Sequence, residues 1–225
     1  LVGATPEILV RVQHGLVTSR VLAGTIRRTG DESADAALAG RLARSSKDLE
    51  EHEYAVRSVA NALAAVCSSI NVPESPFVLH LPNVMHLATD VAGVLSGEPV
   101  VGSPLQLVGA LHPSAAVAGT PSTAARAVIA RLEGMDRGRY AGPVGWLDAH
   151  GNGEWGIALR CAAADAHDPR RLRLFAGCGI VPGSDPAAEL AESDAKLLPV
   201  RDALTRRVTV SARQHTPGLR QTGRR

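Results

Sequence analysis

The chain is poor in aromatic residues, with two Trp, two Tyr and two Phe among 225 residues. That argues against the rows of stacking rings on which single-stranded nucleic acids are held. Cysteine is scarce as well. Cys67, Cys161 and Cys178 make an odd count, with no Cys-x-x-Cys and no Cys/His ligand spacing. A disulfide framework and a zinc site are not expected; the three thiols read as small buried side chains in a reducing compartment, and the chain as cytoplasmic. No run nears the ~18 apolar residues of a transmembrane helix. No signal peptide is expected, and no internal repeat is found. Net charge is almost lacking too, at +2, which is too little for a nucleic-acid-binding face.

That small charge hides an asymmetry. Residues 205–225 hold six Arg (206, 207, 213, 220, 224 and 225) and no acid, so residues 1–204 carry −4. The segment 205–225 contains Pro217, Gly218 and Gly223 and has almost no apolar periodicity. It reads as a basic, disordered tail on one folded domain, 1–204. With 45% hydrophobic and 20% charged residues, that domain can bury a core. Leu1-Val2-Gly3 reads as the middle of a strand, so the sequence is expected to start inside a domain.

Short β-branched runs at 7–13 and 16–23, joined at His14-Gly15, predict a hairpin that ends at Gly24. Ala-rich 31–46 predicts a helix. From Lys47 a second helical period runs through Val56, Val59, Leu63 and Val66 to Ile70, stopped by Asn71-Val72-Pro73. Phe77–Leu81 is a strand, Val84–Leu95 a strand or short helix, and Glu98–Gly102 a loop. Thr120 and Pro121 fit the cap and first position of another helix. Val144–Asp148 and Trp155–Ala162 predict strands, joined through His150-Gly151-Asn152-Gly153, and Arg171–Ala176 a further strand. Asp185-Pro186 opens a last helix to about Leu204. Strands and helices mix without regular βαβ alternation, which favours an α+β fold.

Two clusters could carry chemistry. On the last helix Glu189, Glu192 and Lys196 lie at i, i+3 and i+7 and project from one face. Such a face can hold a metal and its bound anion, or be a solvated face with an ordinary Glu192–Lys196 pair worth a few tenths of a kcal/mol. Gly177-Cys178-Gly179 and Gly183-Ser184 precede it; glycines there let backbone N–H groups approach an anion. In the second cluster Asp48, Glu50, Glu51 and Glu53 surround His52, and Asp48 and Glu51 share a face above the small residues Ala55, Ser58 and Ala62. Few hard oxygen ligands in an open site suit a Mg²⁺ that keeps waters and meets a substrate anion; the alternative is an acidic first turn complementing the helix dipole. Zinc through His52 lacks a second His or Cys nearby. His86 and His112 read as core or loop histidines. Arg160, in an apolar stretch, wants a partner such as a carboxylate. Glu7 alone says nothing.

In chain order come Gly3-Ala4-Thr5-Pro6-Glu7, Leu22-Ala23-Gly24-Thr25, Lys47-Asp48 with Glu51-His52-Glu53, Leu111-His112-Pro113 and Gly119-Thr120-Pro121. Tyr140 to Trp146, Gly153-Glu154-Trp155, Arg173 to Gly177, Gly179-Ile180-Val181 and Glu189, Glu192, Lys196 follow. This series resembles the chorismate-utilising enzymes and, within them, the isochorismate synthases. The likeness spans residues 1–204 and covers the C-terminal part of that family's domain.

The resemblance implies a chorismate-binding fold of the anthranilate synthase component I type, with a β-sandwich core flanked by helices. It implies Mg²⁺ on Glu51 and Glu192, with Glu189 and Asp48 beside them, and Glu7 as the acid that protonates the leaving C4 hydroxyl. It further implies Gly24, Thr25, His86, Arg160, Gly177 and Lys196 at the substrate, whose two carboxylates Arg160 and Lys196 would meet. Glu7 must be protonated near pH 7, which needs burial or a nearby negative charge. The family's water-activating lysine falls before residue 1, so the general base is expected to be missing from these residues. Ser114-Ala115 stands where the family more often has Thr-Pro. Trp146, Gly153-Glu154-Trp155 and Ala116-Val117 look more like the isochorismate type than the amine-transferring relatives, anthranilate and aminodeoxychorismate synthase. Salicylate synthase, which passes through isochorismate, and a non-catalytic remnant are the alternatives. The expected product serves menaquinone or siderophore biosynthesis. Partners implied are chorismate alone, with no nucleic acid and no membrane, in a monomer.

Overall fold

The structure is a computed structural model describing residues 1–97 and 103–205. The loop expected at 98–102 and nearly all of the basic tail, 206–225, lie outside the described residues. No described helix is long and apolar enough to cross a membrane.

Among the described residues two antiparallel sheets and six helices make an α+β fold. A short strand β1 (Val2–Gly3) leads to the hairpin of β2 (Ile8–Gln13) and β3 (Leu16–Arg27), turned by His14 and Gly15 at positive φ. Helices α1 (Glu32–Leu42) and α2 (Ser46–Ala64) follow, capped by the side chains of Asp31 and Ser45. Then come β4 (Cys67–Asn71), β5 (Phe77–His80) and β6 (Val84–Leu95). Three helices follow, α3 (Ser103–Leu111), α4 (Ala115–Ala118) and α5 (Ser122–Leu132). Strands β7 (Pro143–Leu147), β8 (Gly153–Ile157), β9 (Cys161–Ala164) and β10 (Leu172–Phe175) lead to α6 (Pro186–Thr205). The large sheet runs β4-β6-β3-β2-β8-β7, with β5 also on β6, and the small one β1-β9-β10.

Four expectations are corrected. Gly24 does not end β3: at φ +76 it forms a bulge between Ala23 and Thr25, and the strand runs on to Arg27. The helix begun near Lys47 ends at Ala64, and Cys67–Asn71 joins the sheet beside β6. β-branched Val66 and Ile70 extended the apolar pattern without extending the helix. Pro121, not Thr120, takes the cap position of α5. The strand expected over Trp155–Ala162 breaks at Ala158–Arg160, where Arg160 adopts φ +46 and the chain passes from one sheet to the other. Val84–Leu95 is a strand throughout.

The main core lies between the large sheet and α2. Val10, Val12, Val17 and Val21 meet Ala55, Val59 and Leu63, with Leu107 and Leu111 of α3 beside them. Burying such side chains contributes about 1.5–3 kcal/mol each against the chain entropy. This anchors the first turns of α2 over the bulged end of β3.

Candidate active site

A cavity of about 160 Å³ opens where the bulge of β3, the first turns of α2, the β8–β9 passage, the glycine loop after β10 and α6 converge. Glu7, Gly24, Thr25, Glu51, His86, Arg160, Gly177 and Lys196 line it, so eight of the eleven residues implied by the resemblance come together. Asp48, Glu189 and Glu192 instead line a neighbouring groove that shares Thr25.

Each lining group is set by local structure. Glu7 precedes β2 and is buried; its backbone carbonyl accepts from Ile157 N–H, which fixes it against β8. Burial pushes its carboxyl up to about 7, against the pull of Lys196 and Arg160. The nearby charges are therefore positive, and burial alone supplies the upward shift. His86 on β6 pairs with Thr25 across the bulge. Its Nε2 meets the Arg160 guanidinium, and its Nδ1 lies 3.1 Å from Thr25 Oγ1. A guanidinium can only donate. Nε2 is therefore the acceptor, Nδ1 carries the hydrogen, and Thr25 Oγ1 accepts it. The Thr25 hydroxyl hydrogen is left free to point elsewhere. Burial and the cations Arg160 and Lys196 hold His86 down at about 3, so the imidazole is neutral. His86 belongs to the cavity wall, whereas the chain pattern alone suggested a core or loop histidine.

Lys196 Nζ donates to Glu192 Oε1 at 2.6 Å and to the Gly177 carbonyl at 3.2 Å, tying α6 to the glycine loop. Lys47 Nζ donates to the buried Glu189 at 2.7 Å. Burial raises Glu189, but the hydrogen bonds from Lys47, Ser184 and Cys178 outweigh it and leave the carboxyl below its ordinary range. Glu51 is pushed up by burial and by the charges of Glu192 and Asp48, with Lys196 and Lys47 opposing. His52, by contrast, is buried in the sheet face and bonded to Ala23 O and Thr89 Oγ1, so it faces no ligand.

Sequence reasoning gave Gly179 a different role, backbone approach to an anion, and gave none to Tyr140 and Arg137. Gly179 is required by Glu51: a Cβ at 179 would overlap the Glu51 carboxylate. Tyr140 lines the cavity, stacked on Phe175 at 5.2 Å, and its hydroxyl would stand 3.0 Å from a Cβ at Gly177. Arg137 also lines the cavity and lies over the Tyr140 ring. Both fall in or beside the Tyr140–Trp146 stretch, which carried the resemblance but no assigned chemistry.

Among the described residues no group of three His, Cys, Asp or Glu side chains stands close enough to hold a metal unaided. The donor chemistry nevertheless fits a hard cation. Glu51 is destabilised by burial and by the charges of Glu192 and Asp48, so the groups acting together there offer carboxylate oxygens. Such a partial set suits a magnesium ion completed by waters and a substrate oxygen.

Residues 1–205 match the family described as chorismate binding enzyme. The chain is 44% identical over 203 residues to the salicylate biosynthesis isochorismate synthase of Pseudomonas aeruginosa, covering 90% of this chain and 41% of that protein. It is 43% identical over 196 residues to isochorismate synthase DhbC of Bacillus subtilis, covering 87% and 48%. Its fold matches MenF, the menaquinone-specific isochorismate synthase from Escherichia coli, with a TM-score of 0.78 at 33% identity, over 90% of this chain and 45% of that one. The chain thus spans about half the length of the curated relatives it matches. On the family match over residues 1–205, the chain belongs to the chorismate binding enzymes.

Proposed function

We propose that these residues carry the acid and anion-binding half of an isochorismate synthase, which adds water at C2 of chorismate as the C4 hydroxyl leaves. The observation that carries this reading is the buried Glu7, raised to about 7, on a cavity that also holds Arg160 and Lys196. At neutral pH a large share of Glu7 is protonated and can give its proton to the departing hydroxyl. Arg160 and Lys196 offer the two cations that a dicarboxylate needs, and Gly24 and Gly177 let the backbone approach it. His86, neutral and fixed by Arg160, directs the Thr25 hydroxyl. Magnesium bound at Glu51 and Glu192, with Asp48 and Glu189 behind them, would offset the acidic charge and polarise the ring carboxylate. The chain is proposed to act as a cytoplasmic monomer.

The chain has two lysines, Lys47 and Lys196, and each is engaged by a carboxylate. Neither is free to activate water, which favours a second reading: binding of chorismate and magnesium without turnover. Incubation with chorismate and Mg²⁺, followed by liquid chromatography–mass spectrometry, separates the two. Isochorismate that disappears in Glu7→Gln supports synthesis. Salicylate with pyruvate moves the product one step on. Unchanged chorismate that binds by calorimetry supports the second reading, and absence of binding sinks both.

A further inference from the structure

A second, much smaller cavity lies behind Glu7. It encloses about 10 Å³ and is lined by Glu7, Ser19, Arg20 and Ser114 among apolar side chains. Glu7 and Ala116 line both this cavity and the main one. Ser114 stands at the N-cap of α4, where a serine ordinarily bonds a backbone N–H, yet its side chain makes no capping bond. The residue is 4% exposed, and its Oγ is the one buried side-chain polar atom among the described residues without a partner. A buried hydroxyl without a partner is costly and calls for an explanation. Ser19 is also buried; its Oγ donates to Leu9 O at 2.7 Å and keeps its lone pairs free to accept.

We infer that one buried water bridges Ser114 Oγ and Glu7 across this cavity, and that Ser114 is a positioning residue for the Glu7 carboxyl. The volume is that of a single water, and Ser114, Ser19 and Glu7 supply three polar partners, within the usual two to four. Ser114 O–H donates to the water. The water donates one hydrogen to Ser19 Oγ and the other to the Glu7 oxygen turned away from the main cavity. The remaining Glu7 oxygen, with its proton, faces the substrate side. The same hydrogen bond persists when Glu7 has lost that proton, so it favours the ionised form. The charged groups acting on Glu7 are Arg160 from the β8–β9 passage and Lys196 from α6. Arg20, at the small cavity, is held by Asp90 at 2.6 Å. The bridge itself does not depend on the proposed activity; its consequence for proton transfer does.

A high-resolution crystal structure of the chain tests the bridge directly. An ordered water bonded to both Ser114 Oγ and Glu7 is expected, and an empty cavity overturns the proposal. The Glu7 carboxyl is then followed by ¹³C NMR from pH 5 to 9 in wild type, Ser114→Thr and Ser114→Val. Valine and threonine have the same shape, so the two variants differ only in the hydroxyl that bonds the water. The Glu7 midpoint is expected to rise by about one pH unit in Ser114→Val and to stay near wild type in Ser114→Thr. An unchanged midpoint in a folded Ser114→Val overturns the positioning role. If that variant does not fold, the wild-type density decides. Both readouts are independent of turnover, so a chain that binds but does not convert chorismate tests the bridge equally well.

Discussion

At the scale of single residues, the site depends on one buried acid. A carboxyl held near 7 in the folded chain and at 4.5 in the unfolded one binds more protons when folded between those values. Stability therefore falls as pH rises from about 4.5 to 7 and levels off above. Glu7→Gln removes that cost. It is expected to be more stable than wild type at pH 8 by up to about 3 kcal/mol, and to lose catalysis by at least about 10²-fold. Urea denaturation at pH 4.5 and pH 8 checks the first half; equal gaps at the two pH values would contradict it. Glu7 was the residue least legible by itself, since burial of its carboxyl is created by β8, α6 and the β8–β9 passage, far away in sequence. Arg160 was legible in part: an arginine in an apolar stretch needs a partner, but the partner it has is the His86 ring rather than a carboxylate.

At the scale of elements, close approach does much of the positioning. The glycine loop after β10 lies against α2 so tightly that position 179 has no room for a side chain beside Glu51. Gly179→Ala is expected to displace Glu51 and lower turnover more than about tenfold. Gly183→Ala, in open space in the same loop, should leave it near wild type. Steady-state kinetics on the pair decides, and similar losses in both would refute the argument. Away from the site, buried Asp35 of α1 fixes the chain that enters that helix. It accepts from Thr29 N at 2.7 Å and from Arg28 Nε at 2.8 Å. The Thr29 backbone bond leads the groups that hold its carboxyl at about 2 rather than 3.8. A depressed pKa gives stability that is present above about 4 and lost as pH falls towards 2. The stability gap between wild type and Asp35→Asn should narrow over that window in denaturation curves taken at pH 5, 3.5 and 2.

Most elements could be read from turn and cap signals. His14-Gly15 and Asp185-Pro186 are local chemistry and held to within a residue or so, whereas the helix expected over 31–46 ends at Leu42. The errors came where tertiary structure overrides pattern. Gly24 looked like a stop, but a strand paired along its whole length with β6 can absorb one extra residue as a bulge. Cys67–Asn71 continued the helical apolar spacing of α2, but its partner is the free edge of β6. Such an edge is invisible to any window of sequence.

At the scale of the whole molecule, α2 and α6 bring their acidic faces to one place although about 140 residues apart, and two ion pairs help to balance the charge. Helical spacing made each face visible in the sequence. Their meeting became visible only through the family pattern, because neither helix encodes the other's position. If the facing carboxylates hold magnesium, adding Mg²⁺ should raise Tm progressively with concentration. Glu51→Gln should blunt that rise, and calcium, which prefers more ligands, should reproduce it less well. Differential scanning calorimetry in chelator-treated buffer would show this, and a Tm indifferent to Mg²⁺ would argue against a resident ion at Glu51.

The scarcity of lysine has a practical corollary. Twenty-two arginines carry the remaining basic side-chain charge, so Lys47 and Lys196 are the only side-chain amines in the chain. Both sit at or beside the cavity. An acylating dye or an amine-reactive resin, indiscriminate on most proteins, would find only these two side-chain targets within these 225 residues. Immobilisation through the side-chain amines should abolish the proposed chorismate binding, and the extent of acylation at Lys196 should read out occupancy of the site by a dianion. Attachment through a thiol would spare the cavity only once Cys178, which lines it, is replaced and Cys67 on β4 is left as the half-buried thiol.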